Sequence, residues 1–243
     1  MAFPILLLAG CNPAAMISMI TPTNELRTVP NVAYGDHARQ RLDVYAPPGE
    51  SNSARPVVVF FYGGGWVEGA RGDYLFAAEA LVSRGYLVVI PDYRVYPEVR
   101  FPAFVEDAAH ATAWVLENID SFGGDPQQVY VMGHSAGAHI AALLTFDERY
   151  LRSIGHQPGE LAGLIGLAGP YDFLPIESRT LQAIFGPPSQ HPLSQPVNFV
   201  DVNEPPAYLL HGGDDRTVLP GNTQRLAAKI AAADLGSGIS FRR

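Results

Sequence analysis

The chain has 243 residues, enough for one domain that buries a sizeable core without a disulfide or metal staple. Hydrophobic residues make up 47% and charged ones 16%, which excludes a disordered chain. The net charge of −8 argues against nucleic acid as a partner, and the single cysteine, Cys11, excludes an intrachain disulfide and any zinc site built on two or more thiolates.

Phe3 to Ala9 is a short apolar run followed by Gly10 and Cys11. It is too short to span a bilayer. Leu8-Ala9-Gly10-Cys11 resembles a bacterial lipoprotein lipobox, although no Lys or Arg precedes the run. The resemblance implies a signal over residues 1–11, a lipid anchor at Cys11, a tether over 12–30 and a folded domain over 31–243. It also implies the bacterial cell envelope, lipid-anchored or periplasmic; without it the chain reads as cytoplasmic.

From Val32 strands and helices alternate. Arg41 to Tyr45 reads as an early strand stopped by Pro47-Pro48. Pro56 to Phe61 is a continuous apolar, β-branched run, the pattern of a strand buried on both faces. Asp73 to Ser83 reads as a helix closed by Gly85, and Tyr86 to Ile90 as the next buried strand. Phe101, Phe104, Val105, Ala108, Thr112, Val115 and Ile119 recur at helical spacing, which predicts an amphipathic helix over 101–119. Val129 to Met132 reads as a strand, 136–146 as a helix, Leu161 to Leu167 and Tyr208 to Leu210 as strands, and 222–233 as a helix. The stretch 170–206 is Pro-rich and irregular. This order predicts an α/β fold, a mostly parallel sheet with helices on both faces. In such sheets function gathers at the carboxyl ends of the strands.

Val129 to Met132 runs into Gly133-His134-Ser135-Ala136-Gly137 and then a helix. G-x-S-x-G between strand and helix is the context in which the motif marks a nucleophile. A sharp turn there lifts the Ser135 hydroxyl above the sheet, and side chains at 133 and 137 would collide with neighbouring backbone. The helix N-terminus favours a developing oxyanion. Tyr62-Gly63-Gly64-Gly65-Trp66 follows the central strand. Consecutive glycines let backbone N–H groups approach a ligand, and Gly64, Gly65 and Ala136 are the expected oxyanion donors. No Gly-Lys-Ser/Thr follows, so the loop does not read as a phosphate cradle.

These blocks resemble the esterase/lipase group of the α/β-hydrolase superfamily, its hormone-sensitive-lipase-like and small carboxylesterase branch. Tyr62 to Trp66 is similar to that group's H-G-G-G-W, with Tyr for His. Asp92-Tyr93-Arg94, Pro97-Glu98, Phe101-Pro102-Ala103 and Asp107 are similar to its D-Y-R-x-x-P-E-x-x-F-P-A stretch. His211-Gly212-Gly213-Asp214-Asp215-Arg216-Thr217-Val218 resembles its H-G-x-x-D-x-x-V block, which implies Asp215 as the acid of a catalytic triad. Asp214 and Asp172 are the weaker alternatives for that role.

The resemblance also implies a histidine after the acid. None follows Asp215 in this sequence; the expected reading is a chain truncated at its C-terminus, lacking a last strand, the histidine loop and a final helix. Of the seven histidines, His134 is expected to point away from the serine face and His139 to be packed in a helix. His211 is the nearest substitute base in principle, though it reads better as structural. His37, His110, His156 and His191 read as surface or loop residues. The expected activity is hydrolysis of carboxylic esters with no metal or cofactor. The sequence offers no large lid, so short-acyl or small aryl esters are expected. An arylformamidase-like amidohydrolase and a catalytically impaired remnant are the alternatives.

Overall fold

A computed structural model of the chain describes residues 13–23, 26–49, 53–202 and 204–233. The lipobox with Cys11 and the tail 234–243 lie outside the described residues, so the expected lipid anchor and the expected C-terminal truncation do too.

Seven strands form one sheet: β1 (Arg27–Ala33), β2 (Arg41–Ala46), β3 (Arg55–Phe61), β4 (Leu87–Pro91), β5 (Gly124–His134), β6 (Gly163–Leu167) and β7 (Ala207–Leu210), in spatial order β1-β2-β4-β3-β5-β6-β7. β1 and β2 run antiparallel to their neighbours, and every pair from β4 through β7 is parallel. β4 is buried along its whole length. Its run Leu87-Val88-Val89-Ile90 has no polar face to show to water, as a strand covered on both sides requires.

The helices are α1 (Pro13–Met19), α2 (Leu75–Val82), α3 (Ala103–Asn118), α4 (Ala136–Phe146), α5 (Arg149–Arg152), α6 (Arg179–Phe185) and α7 (Gly221–Ala232). Register shows how they cover the sheet. Phe60 pairs with Met132, and His134 with Leu167; in-register residues share a face. This face meets α2 and α1 in an apolar groove. The opposite face, with Phe61 beside Gly133, meets α4. Every residue of α4 is buried, which suits its Ala-, Leu- and Ile-rich sequence, apolar all round. α7 keeps its apolar stripe, Leu226, Ala227 and Ile230, inward.

The α/β architecture agrees with the sequence reading, and boundaries shift. The helix expected from Asp73 begins as a 3-10 turn at Arg71–Tyr74, and the strand expected from Val129 already starts at Gly124. The segment 12–30 is not a free tether over its described part. It carries α1, tied down where Ser18 Oγ donates to the Asp73 carbonyl at 2.7 Å, and the first residues of β1. Paired backbone on the edge of a sheet is worth more than solvated coil.

Candidate active site

The parallel strands β3, β5, β6 and β7 deliver their carboxyl ends to one rim, and the expected functional residues sit there. Ser135 stands between β5 and α4 with φ 53° and ψ −120°, a conformation that an L side chain adopts only under strain. Its N–H donates to the Leu167 carbonyl of β6 at 2.9 Å, and Ala138 N–H donates back to the Ser135 carbonyl at 3.0 Å. The side chain is half-buried. The two flanking glycines are steric requirements. A Cβ on Gly133 would lie 2.2 Å from the Gly137 carbonyl oxygen, and one on Gly137 would lie 2.0 Å from that of Phe61.

That second contact brings the glycine loop to the serine. α4 starts against the end of β3, so the chain leaving β3 passes over Ser135. A Cβ on Gly63 would lie 3.2 Å from Ser135 Cβ. Gly64 (φ 139°), Gly65 (φ 58°) and Trp66 (φ 62°) then curl the loop through left-handed backbone. Gly63 N–H donates to Tyr74 Oη at 3.2 Å. The N–H groups of Gly64, Gly65 and Ala136 have no hydrogen-bond partner among the described residues. Free backbone donors in the loop that passes Ser135, and at the residue after it, are of the kind that suits a developing oxyanion.

The loop's first residue, Tyr62, is fixed from all sides. Its ring stacks on Tyr93 at 4.7 Å and on Tyr74 at 5.8 Å between centroids. Its hydroxyl donates to Asp92 Oδ1 at 2.8 Å and accepts from Arg39 Nη2 at 2.9 Å. Burial pushes its pKa well above 10, so it stays neutral. Asp92 also receives Arg71, which bridges to Asp43 at 2.7 Å. Tyr93 Oη donates to the Tyr62 carbonyl at 2.7 Å. Asp107, fully buried, is clamped by Arg94 at 2.7 Å and by Gln40 at 2.8 Å. The D-Y-R stretch is therefore scaffolding beneath the loop.

Asp215 lies in the loop after β7. Its Oδ1 accepts from Thr217 N–H at 2.9 Å and Val218 N–H at 3.0 Å. The Val218 bond, foremost, holds its pKa below the usual carboxylate value, so it is charged near neutrality. Its charge acts on His134 across the rim. The two alternative acids are differently placed: Asp172 pairs with Arg225 at 2.5 Å, and Asp214 is exposed.

Among the described residues no histidine takes the base's place. His211 Nε2 donates to the Val218 carbonyl at 2.7 Å, and its Nδ1 meets Thr223 Oγ1 at 2.6 Å. Both nitrogens are engaged, and the ring braces the Asp215 loop. His139 is fully buried, with Nε2 donating to the Ser194 carbonyl at 2.7 Å. Burial lowers its pKa to about 4. His134 sits in the groove with Nδ1 3.4 Å from Tyr74 Oη. His37 pairs with Glu98, and His156 with Glu117 and Glu160; His110 is exposed. His191, expected at the surface, is instead buried, because its Nε2 reaches back to the Gly186 carbonyl at 2.9 Å. Sequence reasoning missed Tyr74, which touches both loop and elbow; it belongs to no motif, and its partners lie 11 and 60 residues away.

The sheet, the serine elbow and the glycine loop together define an α/β-hydrolase of the esterase/lipase group. The BD-FAE family model matches residues 42–230, and the chain belongs to that family. It is 31% identical to the probable isoprenylcysteine alpha-carbonyl methylesterase ICMEL2 of Arabidopsis thaliana, over 84% of this chain and 53% of that protein. It is also 31% identical to esterase LipC of Mycobacterium tuberculosis, over 76% of this chain and 50% of that one. The chain thus spans about half the length of these curated relatives. Among solved structures, esterase B of Lactobacillus rhamnosis superposes with a TM-score of 0.80 at 19% identity, covering 94% of this chain and 79% of that one.

Proposed function

We propose that the chain is a serine-dependent carboxylic ester hydrolase that acts on short-acyl or small aryl esters through an acyl-enzyme. Ser135 Oγ attacks the acyl carbonyl, and the N–H groups of Gly64, Gly65 and Ala136 take the charge that develops on its oxygen. Collapse of the tetrahedral intermediate expels the alcohol, and water then releases the acid. Asp215, in the loop after β7, would orient and stabilise an imidazole. The observation that carries this reading is the contact between Ser135, at positive φ, and the glycine loop. The relatives named as esterases support it.

The chain as given holds no histidine after Asp215, and His211 is held at both nitrogens. A serine without its base is a poor nucleophile near pH 7. Loss of one triad member costs on the order of 10⁴–10⁶ in rate, and roughly 10³–10⁴ over water remains from the oxyanion site and binding. Turnover of p-nitrophenyl acetate that is abolished in Ser135→Ala is the expected result. Faster turnover of N-formylkynurenine than of the acetate ester would move the assignment to an arylformamidase-like amidohydrolase. Equal rates in the wild type and Ser135→Ala would leave a non-catalytic remnant, the reading that the engaged nitrogens of His211 favour.

A further inference from the structure

The Tyr74 hydroxyl touches both halves of the site. It accepts the Gly63 N–H at 3.2 Å and lies 3.4 Å from His134 Nδ1. A Cβ on Gly63 would meet that same Nδ1 at 2.9 Å and Ser135 Cβ at 3.2 Å, so loop, elbow and phenol converge on one point. The ring has little freedom: it packs on Phe60 at 5.5 Å, Phe76 at 5.6 Å and Tyr62 at 5.8 Å between centroids. Its 3-10 turn is pinned by Arg71 to Asp43 and Asp92, the latter also holding Tyr62.

The proton count at this junction is constrained. An amide N–H can only donate, so the phenol oxygen accepts from Gly63 and keeps its own proton for another acceptor. His134 Nδ1 is the acceptor in reach, and an imidazole that accepts at Nδ1 carries its proton on Nε2. We propose that Tyr74 is a positioning residue that fastens the glycine loop to the nucleophile elbow. Its hydroxyl takes Gly63 out of the oxyanion site, leaves the Gly64 and Gly65 N–H groups for Ser135, and fixes His134 as the Nε2–H tautomer. The contacts stand on geometry alone; only their catalytic consequence rests on the ester-hydrolase reading.

Acid breaks the arrangement. Protonated His134 donates from Nδ1, so the phenol oxygen accepts twice and its own proton must turn away from the imidazole. The titratable and charged groups near this imidazole are Tyr74, whose hydroxyl Asp73 also acts on, Asp215 from the loop after β7, and Arg84, which lines the same groove. α1 and β6 contribute Ala14, Ile17 and Leu167, none of which titrates. His134 is exposed at one edge of the groove; partial desolvation there lowers its pKa from 6.5, partly offset by Asp215, so the junction is intact at neutral pH and loosens below it.

The test is nitrogen NMR on histidine-labelled protein, with amide exchange at Gly63, in the wild type and Tyr74→Phe. The wild type at neutral pH is expected to show Nδ1 bare and Nε2 protonated on His134. Tyr74→Phe, which keeps the ring, is expected to lose that preference and to exchange Gly63 roughly tenfold faster. Its kcat for p-nitrophenyl acetate should fall roughly tenfold with KM little changed, and the acid limb set by His134 should vanish. Nδ1–H on His134 in the wild type, a reading that needs no variant, overturns the proposal. Unchanged exchange and kcat in Tyr74→Phe do so as well. Absent turnover in the wild type counts against the ester-hydrolase reading alone, because the tautomer and exchange measurements still decide the junction.

Discussion

Replacing Ser135 with glycine should stabilise the protein while abolishing its activity. Ser135 holds φ 53° and ψ −120°; a non-glycine residue in such backbone costs about 1–3 kcal/mol. Glycine removes the Cβ that creates the strain and adds about 0.4–1 kcal/mol of unfolded-state entropy. The net gain is about 1 kcal/mol, which for a domain of this size raises Tm by about 2–4 °C. Ser135→Ala is the control. It deletes the same hydroxyl but keeps the Cβ, so it removes activity without the gain. Thermal melts and urea midpoints of the three proteins measure the difference. A glycine variant less stable than the alanine one by about 0.4–1 kcal/mol, the unopposed entropy cost, would show that Ser135 carries no strain, and the elbow argument would fail with it.

Gly137→Ala places a Cβ 2.0 Å from the Phe61 carbonyl oxygen; it should destabilise by about 3 kcal/mol, read as a lowered urea midpoint, and slow Ser135-dependent turnover by parting α4 from the glycine loop. Asp107→Ala leaves Arg94 and Gln40 without their buried acceptor and should cost about 1–3 kcal/mol by the same measurement. His139 titrates near 4 in the folded chain against 6.5 when unfolded. The unfolded state therefore binds more protons between those values, and stability falls as pH drops from 6.5 toward 4, by about 3 kcal/mol in all. His139→Phe should flatten that part of the urea-midpoint profile. Tens of millimolar imidazole should raise ester turnover in the wild type but not in Ser135→Ala, and less in Asp215→Asn, which lacks the charge that would hold the added ring.

Much of the fold was legible because burial leaves a period. The runs of β3 and β4 are apolar without interruption, and α4 ends where its sequence predicts, at Phe146. β1 was not legible. Its sequence Arg-Thr-Val-Pro-Asn-Val-Ala has only two half-buried positions, Pro30 inside it, and a register shift between Val29 and Val32. An edge strand of that kind shows no alternation and tolerates proline. α1 is too short for a helical period to emerge.

The same limit governs the site. Ser135, Gly64, Gly65, Ala136 and Asp215 could be named because motifs confine each to a few neighbouring positions. Tyr74, Arg39 and Arg71 act through contacts 11 to 60 residues distant, and their sequence surroundings look like an ordinary helix start or loop. His191 misled for the converse reason: a polar residue between prolines reads as surface until the chain folds back to supply the Gly186 carbonyl.

A crystal structure of the protein after treatment with a fluorophosphonate tests the central claim most directly. The account predicts phosphorus bonded to Ser135 Oγ and a phosphoryl oxygen about 2.7–3.1 Å from the backbone nitrogens of Gly64, Gly65 and Ala136. An adduct on another residue, or a phosphoryl oxygen turned away from those three amides, would contradict it.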